Sequence, residues 1–200
     1  MQNKPDIYGL ILTGGFSKRM GMEKAQLNYH GKPQFSYLFE LIKPFCEKVF
    51  LSCRKEQSSQ FGNQYPMIFD LHDGIGPMNG LLSFFEKHPS KACLIVACDM
   101  PFIDEKTLSF LIENRKVEKI ATTFKSKKGF PEPLLTIWEP KSYSIISAAF
   151  QKRDFSLRDI LQENECQLLQ PIDDNILLNI NYPEELETVL KVLKLPPEKS

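Results

Sequence analysis

The chain reads as a single α/β domain, three layers deep (α/β/α), built on a mainly parallel, Rossmann-like sheet. Three observations predict that class. Short apolar runs rich in β-branched residues alternate with segments whose apolar residues recur at i, i+3, i+4, i+7, the signature of strands interleaved with amphipathic helices. One run, Ala92 to Ala97, is apolar without a break, as a central strand covered on both faces must be. Thr13, Ser52, Asp70 and Asp99 each close an apolar run, which puts them at the carboxyl ends of strands, where open α/β sheets bind ligands.

Size and charge agree. Two hundred residues, 42% of them hydrophobic, suit one domain with a real core. The formal net charge is zero, which argues against a nucleic-acid binder held by bulk electrostatics. No run approaches a membrane span, and Met1 to Asp6 is polar with no secretory core. Five cysteines without a Cys-x-x-Cys pair read as reduced thiols. A cytoplasmic protein is expected, with no membrane and no nucleic-acid partner.

The elements follow in order. Ile7 to Leu12 is the first strand. Gln26 to Tyr29 is expected as a short strand, before a turn at Gly31-Lys32-Pro33. Phe35, Leu38, Phe39 and Ile42 mark a helix that Pro44 ends. Val49 to Cys53 is a strand, Lys55 to Phe61 a polar helix, and Pro66 to Phe69 a strand ending at Asp70. Pro77 starts a helix carrying Met78, Leu81, Leu82 and Phe85. Ala92 to Ala97 runs into Asp99, and Asp104 caps a helix with Leu108, Leu111 and Ile112. The second half is less regular: strands at Lys119 to Phe124 and Pro133 to Trp138 around a basic turn, and a helix around Lys141 to Gln151. A short helix opens at Arg153. Short strands are expected at Cys166 to Ile172 and Ile176 to Asn179, then a helix from Pro183 with Leu186, Val189, Leu190 and Leu193 on one face, and a loose tail.

The chemistry concentrates after the first strand. Gly14, Gly15 and Gly21 bracket Ser17, Lys18, Arg19 and Lys24. Glycines let backbone turn sharply and come close to a ligand; exposed N–H groups with nearby cations make an anion site, phosphate above all. The spacing is neither a Walker loop nor a dinucleotide fingerprint. Asp99, at the end of a buried strand, is placed as a magnesium ligand or as a capping aspartate.

Leu10 to Lys24 resembles the Leu-x-Gly-Gly-x-Ser-x-Arg-Met-Gly-x-Asp/Glu-Lys signature of nucleotidyltransferases with a glycosyltransferase-A-like fold. Within that group it is most similar to the molybdenum cofactor guanylyltransferases, with Thr13 in place of the usual Ala and Glu23 where Asp is frequent. Cys98-Asp99-Met100-Pro101, Gly76-Pro77, Pro131-Glu132-Pro133-Leu134, Ser156-Leu157-Arg158 and Asn179-Ile180-Asn181 extend the likeness over most of the chain.

The resemblance implies transfer of GMP from GTP to molybdopterin, with Mg2+ as cofactor and pyrophosphate as product. Arg19, Lys24 and Asp99 would be catalytic, and Asp99 the metal ligand. Leu12, Thr13, Gly14, Gly15, Ser17, Lys24, Ser52, Asp70 and Asp99 would hold the nucleotide, although Ser52 stands where the family has Asn. Pro131, Arg158, Asn179 and Asn181 would hold the acceptor. Residues 6–103 would thus form a nucleotide half and 104–195 an acceptor half. Transient contact with other molybdenum cofactor proteins is expected. Two other readings stay open on the residues: a cytidylyltransferase or sugar-phosphate nucleotidyltransferase of the same fold, and a GTP-binding module without turnover.

Overall fold

A computed structural model describes residues 6–14, 24–72 and 74–180, together with Val189 and Leu193. Seven strands, β1 (Ile7–Leu12), β2 (Lys48–Cys53), β3 (Met67–Phe69), β4 (Ala92–Ala97), β5 (Ala121–Lys125), β6 (Pro131–Trp138) and β7 (Gln167–Leu169), form one sheet in the order β3-β2-β1-β4-β6-β5-β7. Five helices accompany it: α1 (Gln34–Ile42), α2 (Pro77–Lys87), α3 (Glu105–Glu113), α4 (Ser142–Gln151) and α5 (Leu157–Glu163). α1 and α3 pack together on one face; α2, α4 and α5 cover the other. β1 and β4 are therefore buried along their whole length, which is why their sequences read as continuous apolar runs.

The strands pair in parallel except β6, which runs antiparallel to both β4 and β5. That reversal matters for the site. The carboxyl edge of the parallel strands is where β6 begins, so Pro131 and Glu132 stand at the same edge as Thr13, Asp70 and Asp99. At this corner β5 and β6 change register between Thr123 and Lys125. Thr136 Oγ1 donates to Thr123 Oγ1 at 2.7 Å, and Thr123 Oγ1 donates to the Glu132 carbonyl at 2.6 Å. Two buried hydroxyls thus replace ladder bonds lost at the irregularity.

Local signals explain most helix starts. Asp104 caps α3 by accepting from Thr107 N–H at 2.8 Å, and Ser156 caps α5 by accepting from Asp159 N–H at 3.2 Å. Pro77 opens α2 after Gly76, whose φ of 59° with ψ of −143° suits only glycine. A bidentate ion pair, Arg115 Nε and Nη2 to Glu139 at 2.6 and 2.8 Å, ties the end of α3 to the end of β6.

Three expectations need correction, and a fourth, the helix from Lys55, holds with 3-10 geometry. Gln26 to Tyr29 is not a strand; residues Lys24–Gln26 make a 3-10 turn, and an isolated bridge joins Asn28 to Pro33. Lys55–Gln60 is 3-10 rather than α-helical, with Gln57 Oε1 accepting from Arg54 N–H at 3.1 Å. β7 is three residues, shorter than the expected Cys166 to Ile172. Ile176 to Asn179 is not a strand either: Asp174–Leu177 is 3-10, capped by Asp173. The local side-chain cap outcompetes a ladder here. Of the expected last helix, Val189 and Leu193 are helical. Both join a small cluster with Leu27, Tyr29, Phe102 and Ile180; Pro183, Leu186 and Leu190 lie outside the described residues.

Candidate active site

A cleft of about 380 Å³ opens at the carboxyl edge of β1, β2, β3 and β4. Its floor is made by strand ends locked to one another. Thr13 N–H and Oγ1 both donate to the Ser52 carbonyl, at 3.1 and 2.7 Å, and Cys98 N–H donates to the Leu12 carbonyl at 3.2 Å. Asp70 N–H donates to the Cys53 carbonyl at 3.0 Å. Four chain segments far apart in sequence are thereby fixed without any ligand, the pre-organisation that a site for a charged substrate needs.

Leu12, Gly14, Ser52, Asp70 and Asp99 all line this cleft. Thr13 is buried behind it, 2% exposed, as a brace. The Ser52 hydroxyl donates to Asp70 Oδ1 at 2.9 Å, so within the protein it orients the strand-end acid. Gly15, Ser17, Arg19, Asp73 and Asn181, and with them Lys18 and Gly21, lie outside the described residues. Lys24 has a described backbone in the 3-10 turn, but its side chain is outside the description.

Asp99 follows β4 by two residues. Its carbonyl accepts from Ile180 N–H at 2.8 Å, which brings Asn179 to the same place from the far end of the chain. Asn179 Oδ1 is buried and has no hydrogen-bond partner among the described residues, a group of the kind a ligand or water satisfies. Asn179 thus stands beside this backbone link in irregular chain, not in the strand expected for it, and it is not among the residues that line the cleft. Glu132, 7% exposed, is close enough to feel Asp99 and Arg158. Burial pushes its carboxyl above the usual range and the Asp99 charge adds to this; the N–H of Leu134, donating at 3.0 Å, and the Arg158 guanidinium oppose it. Arg158, in the first turn of α5, lies over the Phe130 ring with 5.9 Å to the centroid. Pro131 opens β6 opposite Lys125. Next to Asp99, the Cys98 thiol is pushed up by burial first and by the aspartate charge second, and it is inert for that reason. All five cysteines are free.

Sequence reasoning missed several lining residues: Arg54, His72, Asn79 and Gly80. Gly80 alone carried a signal, a glycine inside an amphipathic helix. A Cβ there would lie 2.4 Å from Ser52 Oγ and 2.7 Å from Leu12 Cδ2, so glycine is what lets α2 lie directly on the strand ends. Among the described residues, no group of three or more His, Cys, Asp or Glu side chains could enclose a metal ion.

A cleft at the carboxyl ends of parallel strands, with Gly14 and acids from two strand ends lining it, is the ligand site of an open α/β fold. Comparison with known proteins gives the family. The profile of the MobA-like NTP transferase domain matches residues 9–171, and the chain belongs to that family. It is 36% identical over 184 residues to a "Molybdenum cofactor biosynthesis bifunctional protein" of Synechocystis, covering 90% of this chain but 52%, about half, of that protein. It is 30% identical to a "Molybdenum cofactor guanylyltransferase" of Pseudomonas fluorescens, covering 90% of this chain and 91% of that one. The crystal structure of molybdopterin-guanine dinucleotide biosynthesis protein A from Archaeoglobus fulgidus superposes with a TM-score of 0.77 at 26% identity, covering 92% and 97% of the two chains.

Proposed function

We propose that this enzyme transfers GMP from GTP to molybdopterin and releases pyrophosphate. The observation that carries the reading is the near full-length match to a relative named molybdenum cofactor guanylyltransferase. The cleft, with its strand-end acids Asp70 and Asp99, supports it. In the transfer, an oxygen of the pterin's terminal phosphate attacks the α-phosphorus of GTP, a new P–O bond forms, and the bond to the β-phosphate oxygen breaks. The attacking phosphate is already ionised at neutral pH, so the protein's work is orientation and charge neutralisation. Arg19 and Lys24 are proposed as the cations over the phosphates. Residues 6–103 supply the nucleotide subsite. Residues 104–195 supply the acceptor subsite through Pro131, Arg158, Asn179 and Asn181. Leu134 of β6, in the same strand as the acceptor residue proposed at Pro131, lines the same cleft, which supports adjoining subsites.

Magnesium fits the residues present. Asp99 lines the cleft at the end of β4, and the buried Asn179 Oδ1, one residue before the Ile180 N–H that bonds the Asp99 carbonyl, is an oxygen donor without a partner among the described residues. An ion held by Asp99 would take most of its oxygens from phosphate and water, as magnesium does. When bound, it neutralises charge on the phosphate oxygens. Free thiols suit a reducing, cytoplasmic setting, where transient contact with other molybdenum cofactor proteins would deliver the acceptor.

The test is pyrophosphate release with molybdopterin and each nucleoside triphosphate in turn. GTP is expected to react alone or by a wide margin. Equal turnover of CTP would refute the guanine assignment, and tight GTP binding without pyrophosphate would leave a binding module in place of the transferase.

A further inference from the structure

The segment from Asp70 to Pro77 walls the cleft with Asp70, His72, Gly74 and Gly76. Before α2 begins at Pro77 its described residues belong to no strand or helix, and two of its glycines take positive φ, 76° at Gly74 and 59° at Gly76. A wall of that kind reads a nucleobase only if something else fixes it, because hydrogen bonds weaken steeply with misplacement.

The fixing comes from the first turns of α2. Asn79 Oδ1 accepts from His72 N–H at 3.0 Å, and Asn79 Nδ2 donates to the His72 carbonyl. One side-chain amide thus pairs with both backbone groups of one loop residue, as a strand neighbour would. One turn further on, Ser83 Oγ accepts from Leu71 N–H at 3.1 Å and lies 3.4 Å from Asn79 Oδ1. The Asn79 N–H itself donates to the Gly76 carbonyl at 3.1 Å. Residues 79 and 83 share a helix face and are 6% and 0% exposed. A buried polar pair on a core-facing helix is costly unless its bonds are made, and these bonds run to the cleft loop. The His72 ring adds an outer anchor on Phe150, with centroids 4.6 Å apart.

We infer that Asn79, backed by Ser83, is a specificity-determining positioning residue, holding the loop so that its backbone and Asp70 meet the base in a single register. The inference rests on the cleft being the nucleotide site, and it acts through the loop, since both ends of the Asn79 amide are engaged by His72.

The experiment compares Asn79→Leu, Asn79→Asp and Ser83→Ala with the native chain. Asn114→Ala serves as a stability control, since it removes an amide-to-carbonyl bond of 2.8 Å at the end of α3. For each variant, kcat and KM are measured with GTP, ITP, ATP and CTP, beside a melting curve. Discrimination is the kcat/KM ratio between the triphosphate the native chain prefers and the next best, so the clamp is judged whatever the base proves to be. Asn79→Leu should raise KM and lower discrimination by about tenfold each, the scale of one well-made hydrogen bond, with kcat changed less. Asn79→Asp keeps the acceptor for His72 N–H and loses the donor, so it should fall between. Ser83→Ala, a small change that folds readily, should shift both quantities the same way by less. If these variants melt earlier, as Asn114→Ala does, yet keep native KM and discrimination, Asn79 only stabilises the fold and the inference is overturned. Loss of guanine preference in the native chain would strike the proposed substrate and not the clamp.

Discussion

Gly80→Ala is the sharpest test of how the cleft is built. In an exposed helix this change would stabilise by about 1 kcal/mol through propensity alone. At Gly80 the new Cβ would sit 2.4 Å from Ser52 Oγ, 3.2 Å from Ser52 Cβ and 2.7 Å from Leu12 Cδ2. The leucine methyl is the far end of a flexible side chain and can rotate away. Ser52 cannot: its Cβ is close to the new carbon too, and its hydroxyl is committed to Asp70 at 2.9 Å. Overpacking of this kind costs about 1–3 kcal/mol, so the net loss should be about 0–2 kcal/mol once propensity is set against it. The displaced Ser52 should release Asp70, and KM for the nucleotide should rise. Urea unfolding and steady-state kinetics measure both. Ser52→Ala alone should cost about 1.5 kcal/mol, the value of a hydrogen bond to a charged acceptor. In the double variant the worst contact is gone, so the two losses should add to less than their sum by about 1 kcal/mol. A Gly80→Ala protein as stable as the native one, with unchanged KM, would refute this account of the close approach.

Further outcomes follow from the same geometry. Asp99→Ala should cut turnover by about a hundredfold or more, the scale of one lost transition-state electrostatic element, while the melting temperature holds; near-native pyrophosphate release would remove the metal assignment. Arg115→Ala should destabilise by about 3–5 kcal/mol, because Glu139, its side chain 3% exposed, would be left buried and unpaired; pairing the change with Glu139→Leu should recover much of the loss in urea unfolding. Arg158→Ala and Asn179→Ala should each weaken pterin affinity about tenfold and leave GTP affinity alone, and titration calorimetry with each ligand would expose the reverse pattern. Burial first, then Lys48, Lys87 and Lys91, hold the His88 imidazole below its ordinary range. The unfolded chain therefore takes up the proton first as pH falls. His88's neutral form then favours the fold fully above about pH 6.5, and that contribution declines as pH drops from there through the folded value. His88→Gln should flatten the stability–pH slope by a few tenths of a kcal/mol per unit, the partial exposure of the ring limiting it; an unchanged slope would contradict the assignment.

The sequence alone determined the elements whose periodicity is set by burial. β1 and β4 are covered on both faces and cannot hide their unbroken apolar runs. α1 and α3 bury one stripe each and α2 is buried all round from Met78 to Phe85, while Asp104, Pro77 and Gly76 punctuate them by local backbone chemistry. Because parallel strands end at one edge, the sequence also determined that Thr13, Ser52, Asp70 and Asp99 share an edge. What it could not determine is anything that depends on which strands become neighbours. The antiparallel placement of β6 brings Glu132 to the edge where Asp99 stands and within reach of its charge, a juxtaposition of residues 33 apart in sequence with no periodic trace. The supposed strands at Gln26 to Tyr29 and Ile176 to Asn179 failed because local partners, the Asn28–Pro33 bridge and the Asp173 cap, take up their backbone groups. Asn79 and Gly80 read as small interruptions of an apolar helix face. Their roles exist only once α2 lies across the strand ends, with the Asp70 loop within reach of an amide and Ser52 within reach of a missing Cβ.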